Sequence, residues 1–408
     1  MKINPHLLFA LCCTFLFPYS LPAQSLTSTV YNVANSNLPN DNCHGLTVSP
    51  TGQLWVGTTN GMATYDGTSW TVFKLPEQGT FPNWIHCLAF DQDSLLWVGS
   101  ELDGVSVKRD TGWQFIYTGS ITDLAVDANN HIWAASNGEV AKYDGQAWSS
   151  YVPPTPGIPS TNVRTVIPGN NNLVWIGTHP FANFAGGFAS FDGSQWIRTD
   201  NSSGLPDNLV NALLEVGSVL WVGMNNGLAK RDNGQWTHYT TANSNLVGNQ
   251  VNRLKQDASG RIWIATESGL SVWDGFTFTS FKAADGLPDN RIRDIAFTPN
   301  GDAWLATGKG VVQVTQLTTN LDGALSGMGL AIYPNPATAG GQLTLEGQLT
   351  SSSLHLRILD IYGKKVADLG EKAGAVQTWI LPEHLSPGTY ILEVQAGEKR
   401  GFQRLLVR

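Results

Sequence analysis

Charge, cysteine and long apolar runs are all scarce in this 408-residue chain. Charged residues make up 14%, with 24 Lys and Arg against 32 Asp and Glu, giving a net charge of -8. No basic run occurs, which argues against nucleic acid, because phosphate binding needs a concentrated basic face. The longest apolar run, Leu7 to Phe17, falls short of the ~20 residues that span a bilayer, so no transmembrane segment is expected. Helical heptads are missing. So are the Gly-x-Ser-x-Gly elbow, the His-Glu-x-x-His zinc motif and any phosphate-cradling loop, which leaves no catalytic residue set, cofactor or metal to expect. Of four cysteines, only Cys43 and Cys87 lie beyond the leader described next. They could pair in an exported protein, but two separately buried thiols are the plainer expectation.

Fifteen Trp and 43 Gly, by contrast, describe packed strands and tight turns. The N-terminus reads Lys2, the apolar run Leu7 to Phe17, then Pro18 to Ala23 leading into Gln24. That order fits a signal peptide over 1–23 and implies export. Lipidation at Cys12 or Cys13 is disfavoured, because Leu11 stands where a small residue should precede a lipidated Cys.

Beyond the leader the chain repeats. A Trp, an aliphatic or small residue, then Gly or Ala recur at Trp55, Trp97, Trp133, Trp175, Trp221, Trp263 and Trp304, separated by 42, 36, 42, 46, 42 and 41 residues. Each unit reads as four short antiparallel strands. In the sixth, Val251 to Asp257 opens, Ala258-Ser259-Gly260-Arg261 turns, Ile262 to Thr266 follows, Gly269 starts Leu270 to Trp273, and Asp274-Gly275 turns into a strand around Phe276 to Phe281. Four-stranded units at a period near forty predict a β-propeller of seven blades. The seventh unit lacks an outer strand after Val314. Val30-Tyr31 followed by Ala34-Asn35-Ser36-Asn37-Leu38 matches His238-Tyr239 followed by Ala242-Asn243-Ser244-Asn245-Leu246, so the mature N-terminus should supply that strand and close the ring.

These repeats resemble the two-component regulator propeller family in their Trp-aliphatic-Gly-Thr strand, Gly-Leu turn and Tyr-Asp-Gly turn, matched here by Trp55 to Gly67 and Trp263 to Gly275. The resemblance covers about Ser28 to Leu317. It implies a periplasmic sensor propeller of the kind joined to membrane-bound histidine kinases, often in carbohydrate responses. No membrane helix, kinase or receiver segment follows here, so signalling in cis is not expected.

The chain is therefore divided into a leader (1–23), a seven-bladed propeller (24–317), a linker (318–330) and a C-terminal β-sandwich (331–408). The last part carries Pro334-Asn335-Pro336, Gly363-Lys364 and Leu385-Ser386-Pro387-Gly388-Thr389-Tyr390 between alternating strands. It resembles the C-terminal sorting domain of the type IX (Por) secretion system of Bacteroidetes. That resemblance implies a partner in the type IX machinery and a surface-attached or secreted product.

A binding site is expected where the repeats disagree. Counting eleven residues back from each Trp, with a one-residue adjustment in the fifth unit, gives His44, His86, Thr122, Arg164, Asn211, Asn252 and Arg293. These should ring one mouth of the central channel. They either hydrate a narrow channel or form a cup for an anionic or hydroxylated ligand, with Arg164 and Arg293 as forked donors. In the fourth unit the connection expands to Thr178-His179-Pro180-Phe181-Ala182-Asn183-Phe184-Ala185-Gly186-Gly187, over the same mouth. Phe181 and Phe184 read as apolar plugs, or else join Trp84 as flat platforms for a sugar or an apolar partner. His44 and His86 could share a metal in a propeller lyase acting on an acidic polysaccharide. The ring as aligned offers them no carboxylate. The expectation is thus a non-catalytic binding or scaffold module for a glycan or surface protein, the rivals being that lyase and a structural surface component.

Overall fold

The computed structural model describes residues 25–75, 83–153, 155–275, 277–318, 330–347, 353–360, 365–374, 376–397 and 399–408. The expected leader, nearly all of the expected linker, Phe276 and the Gly363-Lys364 pair lie outside the described residues. The described chain is all-β, apart from three short 3-10 turns.

Seven antiparallel four-stranded sheets account for residues 25–318. The sixth sheet is typical, with Val251–Gln256, Ile262–Thr266, Gly269–Trp273 and Phe278–Phe281 in sequence order. The first strands of successive sheets lie side by side, and Ile292–Phe297 of the seventh adjoins Cys43–Val48 of the first, so the order is cyclic. Asp-Gly turns join third to fourth strands because the Asp carboxylate caps its own turn. Asp66 Oδ1 accepts from the backbone N–H groups of Thr68 and Ser69 at 2.8 Å, and Asp144 and Asp192 do the same in their sheets.

Each repeat Trp stands on a second strand and packs against the following sheet. Trp55 meets Ile85, Leu88 and Val98 of the second sheet, and Trp304 of the seventh meets Leu46, Leu54 and Val56 of the first. A buried aromatic of this kind contributes about 2 to 3 kcal/mol. The glycine two residues after the Trp serves close approach: a Cβ on Gly57 would lie 2.7 Å from Ile85 Cγ2. Indole N–H groups are satisfied by the Asp six residues earlier in three sheets, Asp91 to Trp97, Asp127 to Trp133 and Asp257 to Trp263, at 2.7 to 2.9 Å.

The N-terminal strand Ser25–Tyr31 pairs antiparallel with Gly310–Thr318, with Tyr31 opposite Val311, and supplies the seventh sheet's fourth strand. Tyr31 carries the closure into the first sheet, its ring lying 5.4 Å from Tyr65 and Trp70 and 5.7 Å from Trp304. The matched motifs make matched bonds. Asn35 donates to Val30 O at 2.8 Å and Asn243 donates to His238 O at 2.9 Å.

At the C-terminus, Leu330–Tyr333, Gln342–Gly347 and Val376–Ile380 form one sheet, and Lys365–Lys372, Leu354–Leu359, Gly388–Ala396 and Lys399–Val407 form another. Leu343, Leu345 and Trp379 of the first meet Leu356, Ile358, Leu392 and Leu405 of the second in one core. The Pro-Asn-Pro segment is pinned to the last strand by Asn335, which donates to Arg404 O at 2.6 Å and accepts from Leu406 N at 2.9 Å. Cys43 and Cys87 are buried free thiols; no disulfide joins them.

Candidate functional site

In each of the seven sheets, the pairing of first and second strands shifts register at one place. The residue skipped there is His44 (with Gly45), His86, Thr122, Arg164, Asn211, Asn252 or Arg293. A bulge takes one residue out of the ladder and re-aims its side chain, which is how a strand edge becomes a ring of polar groups. The one-residue adjustment in the fifth sheet has a local cause: Val216 pairs with Val219, leaving a turn of only Gly217 and Ser218. All seven residues, with Trp84 and His179, line one recess of about 370 Å³.

Four of them hold the sheets together. Thr122 Oγ1 donates to Val163 O at 2.8 Å, Asn211 Nδ2 to Val251 O at 2.9 Å, Asn252 Nδ2 to Ile292 O at 2.9 Å, and Arg293 Nη1 to Cys43 O at 2.7 Å. Each acceptor is the carbonyl just before the next sheet's bulge residue, so each bond laces one sheet to the next. Arg293 is therefore partly committed to the ring, which corrects its reading as an open forked donor. His44, His86 and Arg164 make no such bond. Arg164 has no hydrogen bond or ion pair to its guanidinium among the described residues.

The three unlaced positions have their own surroundings. The His44 and His86 rings stack at 4.9 Å with 12° between planes, and Trp84 stands edge-on to both. Trp84 Nε1 donates to His44 Nε2 at 3.0 Å, which leaves the His44 proton on Nδ1. Burial, reinforced by Arg293 and His86, pushes the His44 pKa down to about 3. His86 is also lowered, chiefly by burial and against the pull of Glu101, and His179 is lowered by burial against its bond to Asn211. All three imidazoles are thus neutral near pH 7.

A second tier of residues was not reached by counting back from the Trp. Glu101, Asn225 and Glu267 each follow the last residue of a second strand, and that position was the available signal; His179, expected at the mouth from the expanded loop, ends its own second strand beside them. Glu101 lies 3.1 Å from His86 Nε2, so the ring does have a carboxylate at hand, contrary to the aligned reading. His179 meets Asn211 Oδ1 at 2.6 Å, Asn211 donates to Asn225 at 2.8 Å, and Asn252 donates to Glu267 at 2.9 Å. Arg291 pairs with Glu267 at 3.1 Å. No group of three or more His, Cys, Asp or Glu side chains suited to a metal occurs among the described residues.

The floor of the recess is an ion cluster that crosses the axis. Arg253 of the sixth sheet donates to Asp123 of the third through Nη1 at 3.0 Å and to Asp294 of the seventh through Nε at 3.0 Å. Asp123 also accepts from Thr165 Oγ1 of the fourth sheet at 2.8 Å, and Asp294 from Leu46 N of the first at 2.8 Å. Burial works against the Arg253 charge, but Asp123 and then Asp294 hold its pKa above the ordinary guanidinium range. A separate cavity lies on the far side of Arg253, lined by Leu88, Phe90 and Lys255.

The expanded fourth-sheet loop does not behave as a plug. Phe181 and Phe184 exchange two backbone hydrogen bonds at 2.9 and 3.0 Å in a tight hairpin, with Ala182 at φ 51°. Phe181 is 59% exposed, whereas Phe184 is half-buried. The structure also separates Phe181 and Phe184 from Trp84. Phe181 lines a lateral recess, Trp84 lines the central one, and Phe184 lines neither.

Comparison with known proteins bears on both parts of the chain. Residues 245–268 and 286–309 match the two component regulator propeller, and residues 331–408 match the secretion system C-terminal sorting domain. The chain carries regulator-propeller repeats and ends in a sorting domain. That sorting domain marks export by type IX secretion, so the protein is carried to the cell surface or released, and the secretion machinery is its partner. No helix among the described residues is long and apolar enough to cross a membrane. No curated protein matches the chain. Among solved structures, the extracellular domain of a hybrid two component system from B. thetaiotaomicron aligns with TM-score 0.64 at 16% identity, covering 94% of this chain and 57% of its own. PorZ, a surface component of the type-IX secretion system of Porphyromonas gingivalis, aligns at 0.54 and 16% identity, covering 93% and 61%. Virginiamycin B lyase from Staphylococcus aureus aligns at 0.56 and 15%, covering 72% of this chain and all of its own. The chain thus spans less than two thirds of the first two, and these likenesses establish a shared fold.

Proposed function

We propose that the seven sheets are the blades of one closed propeller, that the two C-terminal sheets form an immunoglobulin-like sandwich, and that the propeller is a non-catalytic binding module. Its ligand is an acidic, hydroxyl-rich molecule of the carbohydrate class, taken up in the central recess. The observation that carries this reading is Arg164. It is a guanidinium at the recess with no hydrogen bond or ion pair among the described residues, felt only at a distance by Glu101, beside neutral imidazoles and amides that suit hydroxyl groups. A charge left unpaired in so polar a cup is best matched by a carboxylate or sulfate.

The test is calorimetry of the purified full chain against a panel of acidic and neutral glycans. Acidic members should bind, and Arg164→Met should weaken them at least about tenfold, the scale of one charge-assisted bond. Equal binding of neutral glycans, or an unchanged affinity in the variant, would sink the reading.

The lyase alternative draws on one observation, the contact between His86 and Glu101 at 3.1 Å. Incubation with polygalacturonate and divalent metal separates the two. Growth of the ultraviolet absorbance of an unsaturated uronate end would favour the lyase.

A further inference from the structure

The central recess is not walled evenly. Between the second and third strands, the connection is two or three residues long in six sheets, Asn137-Gly138-Glu139 in the third, and seven in the fourth, where it carries the Phe181 hairpin. Between the third and fourth sheets lies a lateral recess of about 450 Å³, lined by Asn137, Gly138, Thr161, Asn162, Arg164 and Phe181.

Arg164 lines both this recess and the central one, so the two meet at its guanidinium. The floor is firm. Gly138 N donates to Thr161 O at 2.8 Å, and Asn137 bridges Asn162 as an isolated β-pair. Asn162 Oδ1 is buried and has no hydrogen-bond partner. Phe181 is held outward by its own backbone hairpin, leaving a large ring face in water that a ligand face could cover.

From this we propose that the site is an end-binding cleft for a linear oligouronate: one terminal acidic sugar sits in the central cup, its carboxylate on Arg164, and the chain leaves through the lateral recess between the third and fourth sheets with a following sugar stacked on Phe181. The proposal rests on the acidic-carbohydrate reading above and adds the direction and length of the ligand. The ion cluster around Arg253 lies across the axis, so a chain longer than the cup leaves sideways, and the lateral recess that shares Arg164 with the cup lies between the third and fourth sheets. A peptide ending in a carboxylate could also reach Arg164. Asn137, Asn162 and the exposed aromatic face favour a ligand that presents hydroxyl groups along with a flat face.

The experiment measures affinities of the full chain for galacturonate, mannuronate, their trimers, maltotriose and a short peptide with a free C-terminal carboxylate. The trimer of at least one uronate should bind about tenfold or more tighter than its monomer, the scale expected for covering one aromatic face. Phe181→Ala should bring that ratio close to one, and Phe181→Trp should restore it, which guards against a folding defect. Monomer binding without any gain on lengthening, or a gain that survives Phe181→Ala, overturns the cleft while leaving the acidic-cup reading standing. Absence of binding by every uronate, or preference for maltotriose or for a carboxyl-terminal peptide, overturns both.

Discussion

Replacing Arg253 by Met tests how the ring is held across its axis. The guanidinium donates three hydrogen bonds, two to Asp123 and one to Asp294, and both carboxylates are 4% exposed. Met fills most of the volume, so the loss is electrostatic and not a cavity. Removing one partner from a buried ion cluster generally costs about 3 to 5 kcal/mol, because the remaining charge is left uncompensated. Here two carboxylates are stranded, yet each keeps other donors: Thr165 Oγ1 and Val166 N for Asp123, Leu46 N and Ile295 N for Asp294. The expected loss is therefore about 4 kcal/mol, inside that range and not above it. It is read from urea unfolding followed by tryptophan fluorescence, which the repeat Trp residues report. The variant with Asp123→Asn and Asp294→Asn added should recover at least half of the loss, since no charge is then stranded. A loss below about 1 kcal/mol in Arg253→Met, or no recovery in the triple variant, would refute the reasoning that this cluster ties opposite sheets together.

Lowering the pH from 7 to 5 should destabilise the propeller. His44 stays neutral in the folded chain, with its pKa pushed down to about 3, while the unfolded chain takes up a proton near the ordinary histidine value of about 6.5. The contribution is about 2 kcal/mol at pH 5, from 1.36 kcal/mol per unit over about 1.5 units, and His86 and His179 add in the same direction. His44→Gln should flatten the dependence in urea titrations at the two pH values, and an unchanged slope would count against the assignment. Truncating the chain through Tyr31 should uncover the edge of Gly310–Thr318, which light scattering would show as self-association, whereas a monomeric, equally stable product would contradict ring closure by that strand. Burial pushes the Cys43 thiol up to about 12 and the Cys87 thiol well above its ordinary value, so a thiol reagent at pH 8 should label neither in the folded protein and both in urea.

Much of this architecture could be read along the chain. The Trp spacing located each second strand, and counting back from it located seven polar residues that do meet at one recess. That count works because six of the seven first strands bulge eleven residues before their Trp, the fifth being one shorter through its tight turn, so a near-constant spacing becomes a constant direction in space. The orphan strand at Val30-Tyr31 was recoverable for a similar reason: its turn repeats that of His238-Tyr239, down to the same side-chain bond from Asn35 and Asn243. The sorting-domain motifs worked as a local signature, and of them Pro334-Asn335-Pro336 and the Leu385 to Tyr390 segment fall within the described residues.

Other features depended on which residues meet across the ring. The alignment treated seven ring positions as equivalent, yet four spend their donors on the neighbouring sheet and three do not. Glu101 meets the ring at His86 and Glu267 lines the cup, both from the far end of the second strand, four residues after the Trp, where a count back from it does not look. Phe181 was open to two readings, because a hairpin that holds an aromatic outward and one that folds it inward share the same composition. Arg253 is the clearest case. Its partner Asp123 lies 130 residues away on the opposite side of the axis. A local repeat encodes how each sheet pairs with itself and with the next, since those contacts recur at every period. Contacts through the centre join unlike sheets only once, so no periodic signal records them, and they exist only after the ring has closed.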